Sequence, residues 1–139
     1  MPDYQPIIDQ MKAAYGVRVR RWRRSMSGVA TRLRYPDGRE EAWIESPYPK
    51  TPVSLAIFLH EIGHHAVGFG RFPTRAEEEY RVWVWALSTM RRLGIPPDQR
   101  TLRRVDRSMR HAVGKALRRG VKRLPAELTP YLPDTHRRT

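Results

Sequence analysis

The chain contains no cysteine. Disulfides and thiolate metal sites are therefore excluded, and any metal held by this protein must rest on imidazole and carboxylate groups. That confines the ligand search to five histidines and fourteen acids. No apolar run approaches the ~18 residues that a membrane-spanning helix needs. The opening Met1-Pro2-Asp3-Tyr4 also lacks the basic stretch and apolar run of a secretion signal. The expectation is a cytoplasmic protein with no membrane partner. Internal repeats and low-complexity linkers are missing too, and 139 residues supply one sizeable core rather than two. Acids are scarce beside bases, 14 against 27, leaving a formal charge of +13 carried mostly by arginine. Such a surface attracts polyanions, because neutralising phosphates releases counterions and speeds encounter. Nucleic acid, or a protein bound to it, is one partner that this charge fits. A solvated arginine-rich face with no such partner fits the composition equally well.

Periodicity organises the rest. Tyr4, Ile7, Ile8, Met11, Ala14 and Tyr15 recur at helical spacing, and Gly16 ends the pattern. Three extended segments follow at about 17–23, 29–35 and 40–45, the second entered through Ser25-Met26-Ser27-Gly28. Pro36-Asp37-Gly38 joins the last two as a hairpin turn, since proline presets φ and glycine accepts φ > 0. A small antiparallel sheet of about three strands is expected. Its first strand is irregular, because Val17, Val19 and Arg21 alternate with Arg18, Arg20 and Trp22 and neither face is cleanly apolar. Thr51 as N-cap and Pro52 at the first helical position open a helix to about residue 67 that is apolar nearly all round and hence buried. Thr74-Arg75-Ala76-Glu77 resembles a capping box for a helix to about Leu93, stopped by Gly94 and Pro96-Pro97. A basic amphipathic helix at about 97–119 completes one domain over residues 1–120. Residues 121–139, with prolines at 125, 130 and 133, are expected to form an irregular tail.

The polar residues of the most apolar helix demand an explanation, since buried polar groups must be paired or must bind something. They are His60, Glu61 and His64 of His60-Glu61-Ile62-Gly63-His64. Residues four apart share a helix face, so His60 and His64 can aim two imidazoles at one metal ion. Glu61 is then placed to take a proton from a metal-bound water. Gly63, unfavourable in a helix by about 1 kcal/mol, points to a close backbone approach.

A third ligand is required, and the downstream candidates are His65, Glu77, Glu78, Glu79, His111 and His136. His65 points about 100° away from His64. His111 lies among arginines, and His136 lies in the tail. Glu77 is accounted for by the cap. Glu79 is in phase with Val82, Trp83, Ala86, Leu87 and Met90, the inward face of its helix, where a carboxylate needs a cation. Glu79 is the preferred ligand and Glu78 the alternative; an acidic first turn that merely satisfies the helix dipole is the plain reading of the run.

Taken together, Ala42-Trp43-Ile44-Glu45, Phe58 to His64 and Glu77-Glu78-Glu79-Tyr80-Arg81-Val82-Trp83 resemble the ImmA/IrrE-type metallopeptidase domain over about a third of the chain. Tyr80 departs from the small residue that this pattern carries after its second glutamate, whereas Trp83 keeps the aromatic. The resemblance implies a zincin-like α+β fold, Zn2+ as cofactor and hydrolysis of a protein substrate, such as a DNA-associated regulator. Zinc on His60, His64 and Glu79 would polarise the scissile carbonyl, with Glu61 as general base. Tyr48, Tyr80, His65 and His111 are candidate donors to the oxyanion. Two other classes fit: a nucleic-acid-binding regulator on the same scaffold without proteolysis, and an accessory protein of a mobile element that only binds another protein.

Overall fold

A computed structural model of the chain describes residues 2–134. Four α-helices and three strands follow in the order α1 (Gln5–Tyr15), β1 (Arg18–Arg23), β2 (Val29–Arg34), β3 (Glu40–Pro47), α2 (Pro52–Val67), α3 (Arg75–Arg92) and α4 (Gln99–Arg118). The class is α+β. The sheet is mixed, however, and the expectation of an antiparallel sheet is corrected: its order is β1-β3-β2, with β3 antiparallel to β2 and parallel to β1. The physical reason lies in which strand has an apolar face to bury. β3 carries Ile44, which is fully buried, and takes the centre. β1, rich in arginine and largely exposed, is relegated to an edge with a register irregularity between Val19 and Arg21. The chain therefore leaves β1, crosses the end of β3 through residues 24–28, and descends in β2.

α2 is the element around which the others are assembled, touching β2, β3, α1, α3 and α4. Ten of its sixteen residues are buried, so neither end can drift without uncovering apolar surface. Phe58, Leu55, Leu59 and Ile62 are wholly buried, each contributing roughly 1.5–3 kcal/mol on transfer from water. Its start is doubly held, because Thr51 Oγ1 accepts from the Ser54 amide while Ser54 Oγ accepts from the Thr51 amide. α3 begins at Thr74, whose side chain accepts from the Glu77 amide and whose hydroxyl donates to the Glu77 carboxylate. Its end is closed by Gly94 at φ +77°, with the Ile95 amide bonded back to Met90.

α4 is capped by Asp98 and buries Val105, Met109 and Val113. The segment expected to be an irregular tail includes a 3-10 helix, Ala126–Tyr131, whose Leu128 is fully buried in the core that α4 shares. Pro125 stands at its N-cap, where no amide donor is needed, and Pro130 lies within it. Residues 135–139, with His136, lie outside the described part. Among the described residues no helix is long and apolar enough to cross a membrane.

Candidate metal centre and its cleft

Four residues apart on α2, His60 and His64 stand with ring centroids 4.8 Å apart. Their Nε2 atoms converge on a single carboxylate contributed by α3 just past its first turn. His60 Nε2 lies 2.8 Å from Glu79 Oε2, and His64 Nε2 lies 3.2 Å from Glu79 Oε1. Gly63 makes this possible: a Cβ there would stand 3.0 Å from both Val82 Cγ1 and Trp85 Cε3, so the missing side chain sets how near α3 can come.

Burial and opposite charge compete at these groups. Desolvation alone would lower the basicity of His60, but the adjoining carboxylates of Glu61 and Glu79 reverse that and hold its pKa up to about 9. Burial alone would raise Glu79, and the hydrogen bonds from His60 and His64 instead hold its carboxyl well below the usual carboxylate range. Without a metal, both shifts favour an imidazolium paired with a carboxylate. The same donors could hold a metal ion, their ligand atoms lying within 4.8 Å of one another. The set fits a divalent cation of borderline softness: two neutral imidazoles and one carboxylate, and zinc is the ion such a set usually holds in a hydrolytic site.

The surrounding contacts orient the three. His64 Nδ1 is 3.3 Å from Glu78 Oε2, an ion-pair distance at which the alignment does not complete a hydrogen bond. Glu78 Oε1 accepts from the Gly70 amide at 2.7 Å, and Arg75 stands 3.4 Å from both Glu78 and Glu79. Glu78, the more deeply buried of the two acids, therefore sits behind His64, while Glu79 joins the two Nε2 atoms. One residue of helix phase separates these roles. The His60 ring stacks on Trp83 at 4.1 Å, and His64 stacks on Phe69 at 5.8 Å. His65 is turned away, with Nε2 3.2 Å from the Trp43 carbonyl, and burial lowers its pKa.

Glu61 is buried beside the group, Oε2 lying 3.5 Å from His60 Nδ1. The loop between β1 and β2 presses on it: a Cβ on Gly28 would meet Glu61 Oε2 and the Glu45 carbonyl oxygen, each at 2.7 Å. Only glycine lets the backbone approach that closely. In the sequence Gly28 stood only in the segment leading into the second strand, because nothing local links it to a helix far downstream. Arg75, by contrast, carried a readable signal, standing four residues before Glu79 on one helix face.

A cleft of about 790 Å³ opens onto the site. It is lined by His60, Glu61, Glu79 and Trp83, by Ser27 and Gly28 of the loop before β2, and by residues of α4. Of the four residues considered as oxyanion donors, His111 lines this cleft. Tyr48 donates its hydroxyl to Gln5, His65 faces Trp43, and Tyr80 does not line the cleft. Arg104, which the sequence did not single out, does line it. Its guanidinium donates to the Met26 carbonyl and to Ser108 Oγ, tying α4 to the loop over Glu61. Burial and the neighbouring Arg107 lower its pKa, with Glu61 opposing. Comparison with family models, with curated proteins and with solved structures finds no match for this chain, so the reading of the site rests on its own geometry.

Proposed function

We propose that this chain is a zinc-dependent peptidase of the zincin type, with His60, His64 and Glu79 as metal ligands and Glu61 as general base. One observation carries the reading: two Nε2 atoms and one carboxylate converge at the wall of an open cleft, with a second, buried carboxylate beside them. A buried histidine–glutamate pair serving stability alone has no need of a cleft or of Glu61. Bound zinc would supply Lewis acidity, polarising a scissile carbonyl and making water a stronger nucleophile near neutral pH.

The chain's own groups do the remainder. Glu61 accepts a proton from the attacking water as the C–O bond forms, then returns it to the amide nitrogen as the C–N bond breaks. Gly28 and His60 hold the Glu61 carboxylate in place. Glu78 and Arg75 fix the orientation of His64 and Glu79. Trp83 packs flat on His60 and limits its ring to one attitude.

Elemental analysis of the purified protein beside His64→Ala and Glu79→Ala tests the ligand set; one zinc per chain is expected in the wild type and little in either variant. Zinc retained in Glu79→Ala would move the third ligand elsewhere. In a protein-cleavage assay Glu61→Gln should lose about 10²-fold or more of the activity while keeping its zinc. Undiminished cleavage by that variant would end the proposed mechanism.

A further inference from the structure

The α4 wall of the cleft bears a row of cations: Arg104, Arg107, Lys115 and Arg119, with His111 among them. Their spacing of three or four residues places them on one helix face, beside the small Ala112 and Ala116. Among the described residues none of the four enters an ion pair, although Arg110 on another face of the same helix pairs with Asp106 at 2.9 Å. Arg107, Lys115 and Arg119 are exposed to solvent, so their charges are free to meet a ligand entering the cleft.

We infer that this row selects peptide substrates with aspartate or glutamate side chains flanking the bond to be cut, an inference resting on the peptidase reading above. The length fits. From 104 to 119 the helix rises about 22 Å, which an extended peptide covers in about six or seven residues. An extended peptide places alternate side chains on one side, so acidic residues on that side face α4 while the uncharged backbone passes Glu61 and Glu79. Single-stranded nucleic acid suits the cleft less well, because a phosphate at every nucleotide would bring negative charge beside Glu61, whereas a peptide can carry its acidic side chains toward α4 alone. A duplex offers its phosphates on a convex surface, whereas these cations face the interior of a concavity.

Binding, read apart from catalysis, tests the inference. The full chain carrying Glu61→Gln and loaded with zinc is titrated into a fluorescein-labelled peptide with several aspartates flanking an Ala-Leu centre, and into the same peptide with asparagines. The aspartate peptide should bind about tenfold tighter or more at low salt, with the difference shrinking as salt rises. Lys115→Glu with Arg119→Glu should remove most of that difference. Arg100→Glu with Arg103→Glu, the same charge change on exposed residues of α4 outside the cleft, should retain it. Equal binding of the two peptides overturns the inference, as does an equal loss in both double variants. Tighter binding of a single-stranded oligonucleotide of the same charge, sensitive to the cleft pair alone, also overturns it by assigning the row to nucleic acid. Failure of the wild-type protein to cleave the bound aspartate peptide would count against the peptidase reading, while the binding preference stands or falls by the titration.

Discussion

Replacing Gly63 by alanine isolates the contact that brings His60, His64 and Glu79 together. In an isolated helix the change is favourable by about 1 kcal/mol. Here the new methyl group would arrive 3.0 Å from Val82 Cγ1 and from Trp85 Cε3, and 3.4 Å from the Val82 carbonyl oxygen. Apolar carbons rest at about 3.5–4.0 Å, so α2 and α3 must part by roughly half an ångström. Val82 is fully buried, and a β-branched side chain in a helix has essentially one rotamer, so rotation offers no relief. Overpacking of this kind costs about 1–3 kcal/mol. Set against the propensity gain, the net is a destabilisation of about 1 kcal/mol.

On the proposed zinc reading, the larger effect falls on metal binding. Glu79 lies on α3 about one turn before Val82, and His60 and His64 flank Gly63, so half an ångström of separation exceeds the ~0.2 Å tolerance of zinc–ligand distances. Competition against a chromogenic chelator should show zinc affinity lowered about 10–100-fold. Gly114→Ala in α4 is the matched control, because its methyl group would meet only the flexible tip of Arg118 at 3.3 Å. It should stabilise the fold by up to about 1 kcal/mol and leave zinc affinity unchanged. If Gly63→Ala gave a more stable protein with wild-type zinc affinity, the spacing between α2 and α3 would not govern the site.

Gly28→Ala, whose methyl group would collide with Glu61 Oε2 and with the Glu45 backbone, should cut peptide cleavage at least about tenfold with zinc content intact; unchanged kcat would show that Glu61 does not depend on the loop. Asp98→Ala removes the cap that accepts from the Thr101 amide at 2.8 Å and should cost about 1 kcal/mol in denaturant melts. Because hydrogen bonds from Thr101 depress the Asp98 pKa in the fold, that contribution is present above pH 3.8 and fades as pH falls through the folded value, so the two proteins should converge in acid. In chelator-treated protein the raised His60 pKa contributes stability that is full below pH 6.5 and lost as pH rises through about 9, amounting to about 3 kcal/mol. Urea melts across that range should slope downward in the wild type and less in His60→Gln; parallel curves would refute the ion pair.

Local signals carried much of the architecture. Thr51 and Pro52 opened α2, Gly16 and Gly94 closed α1 and α3, and Pro36-Asp37-Gly38 joined β2 to β3, because caps and turns are settled by residues a few positions apart. The sheet was harder. Whether β1 pairs with β2 or with β3 depends on which strand offers the better apolar face to α2, and the alternating arginines of β1 conceal its partner. Likewise, prolines at 125, 130 and 133 suggested an irregular tail, whereas Leu128 finds a buried place that only the packed α4 provides.

The site divides along the same line. Spacing of four within one helix was enough to put His60 and His64 on a common face, whereas helix phase only ranked Glu79 before Glu78, and in the fold it is Glu78 that is the more buried while Glu79 meets the two imidazoles. Distances across elements are another matter. Glu78 as the brace behind His64, Gly28 against Glu61, and the cations of α4 facing the cleft all join segments remote in sequence, and their placement follows from how α2, α3, α4 and the sheet pack. The sequence by itself determined which side chains were available and which shared a helix face, because those are properties of a local period. The tertiary structure decided what they face, because that depends on the close packing of helices whose approach is limited by single atoms, as at Gly63.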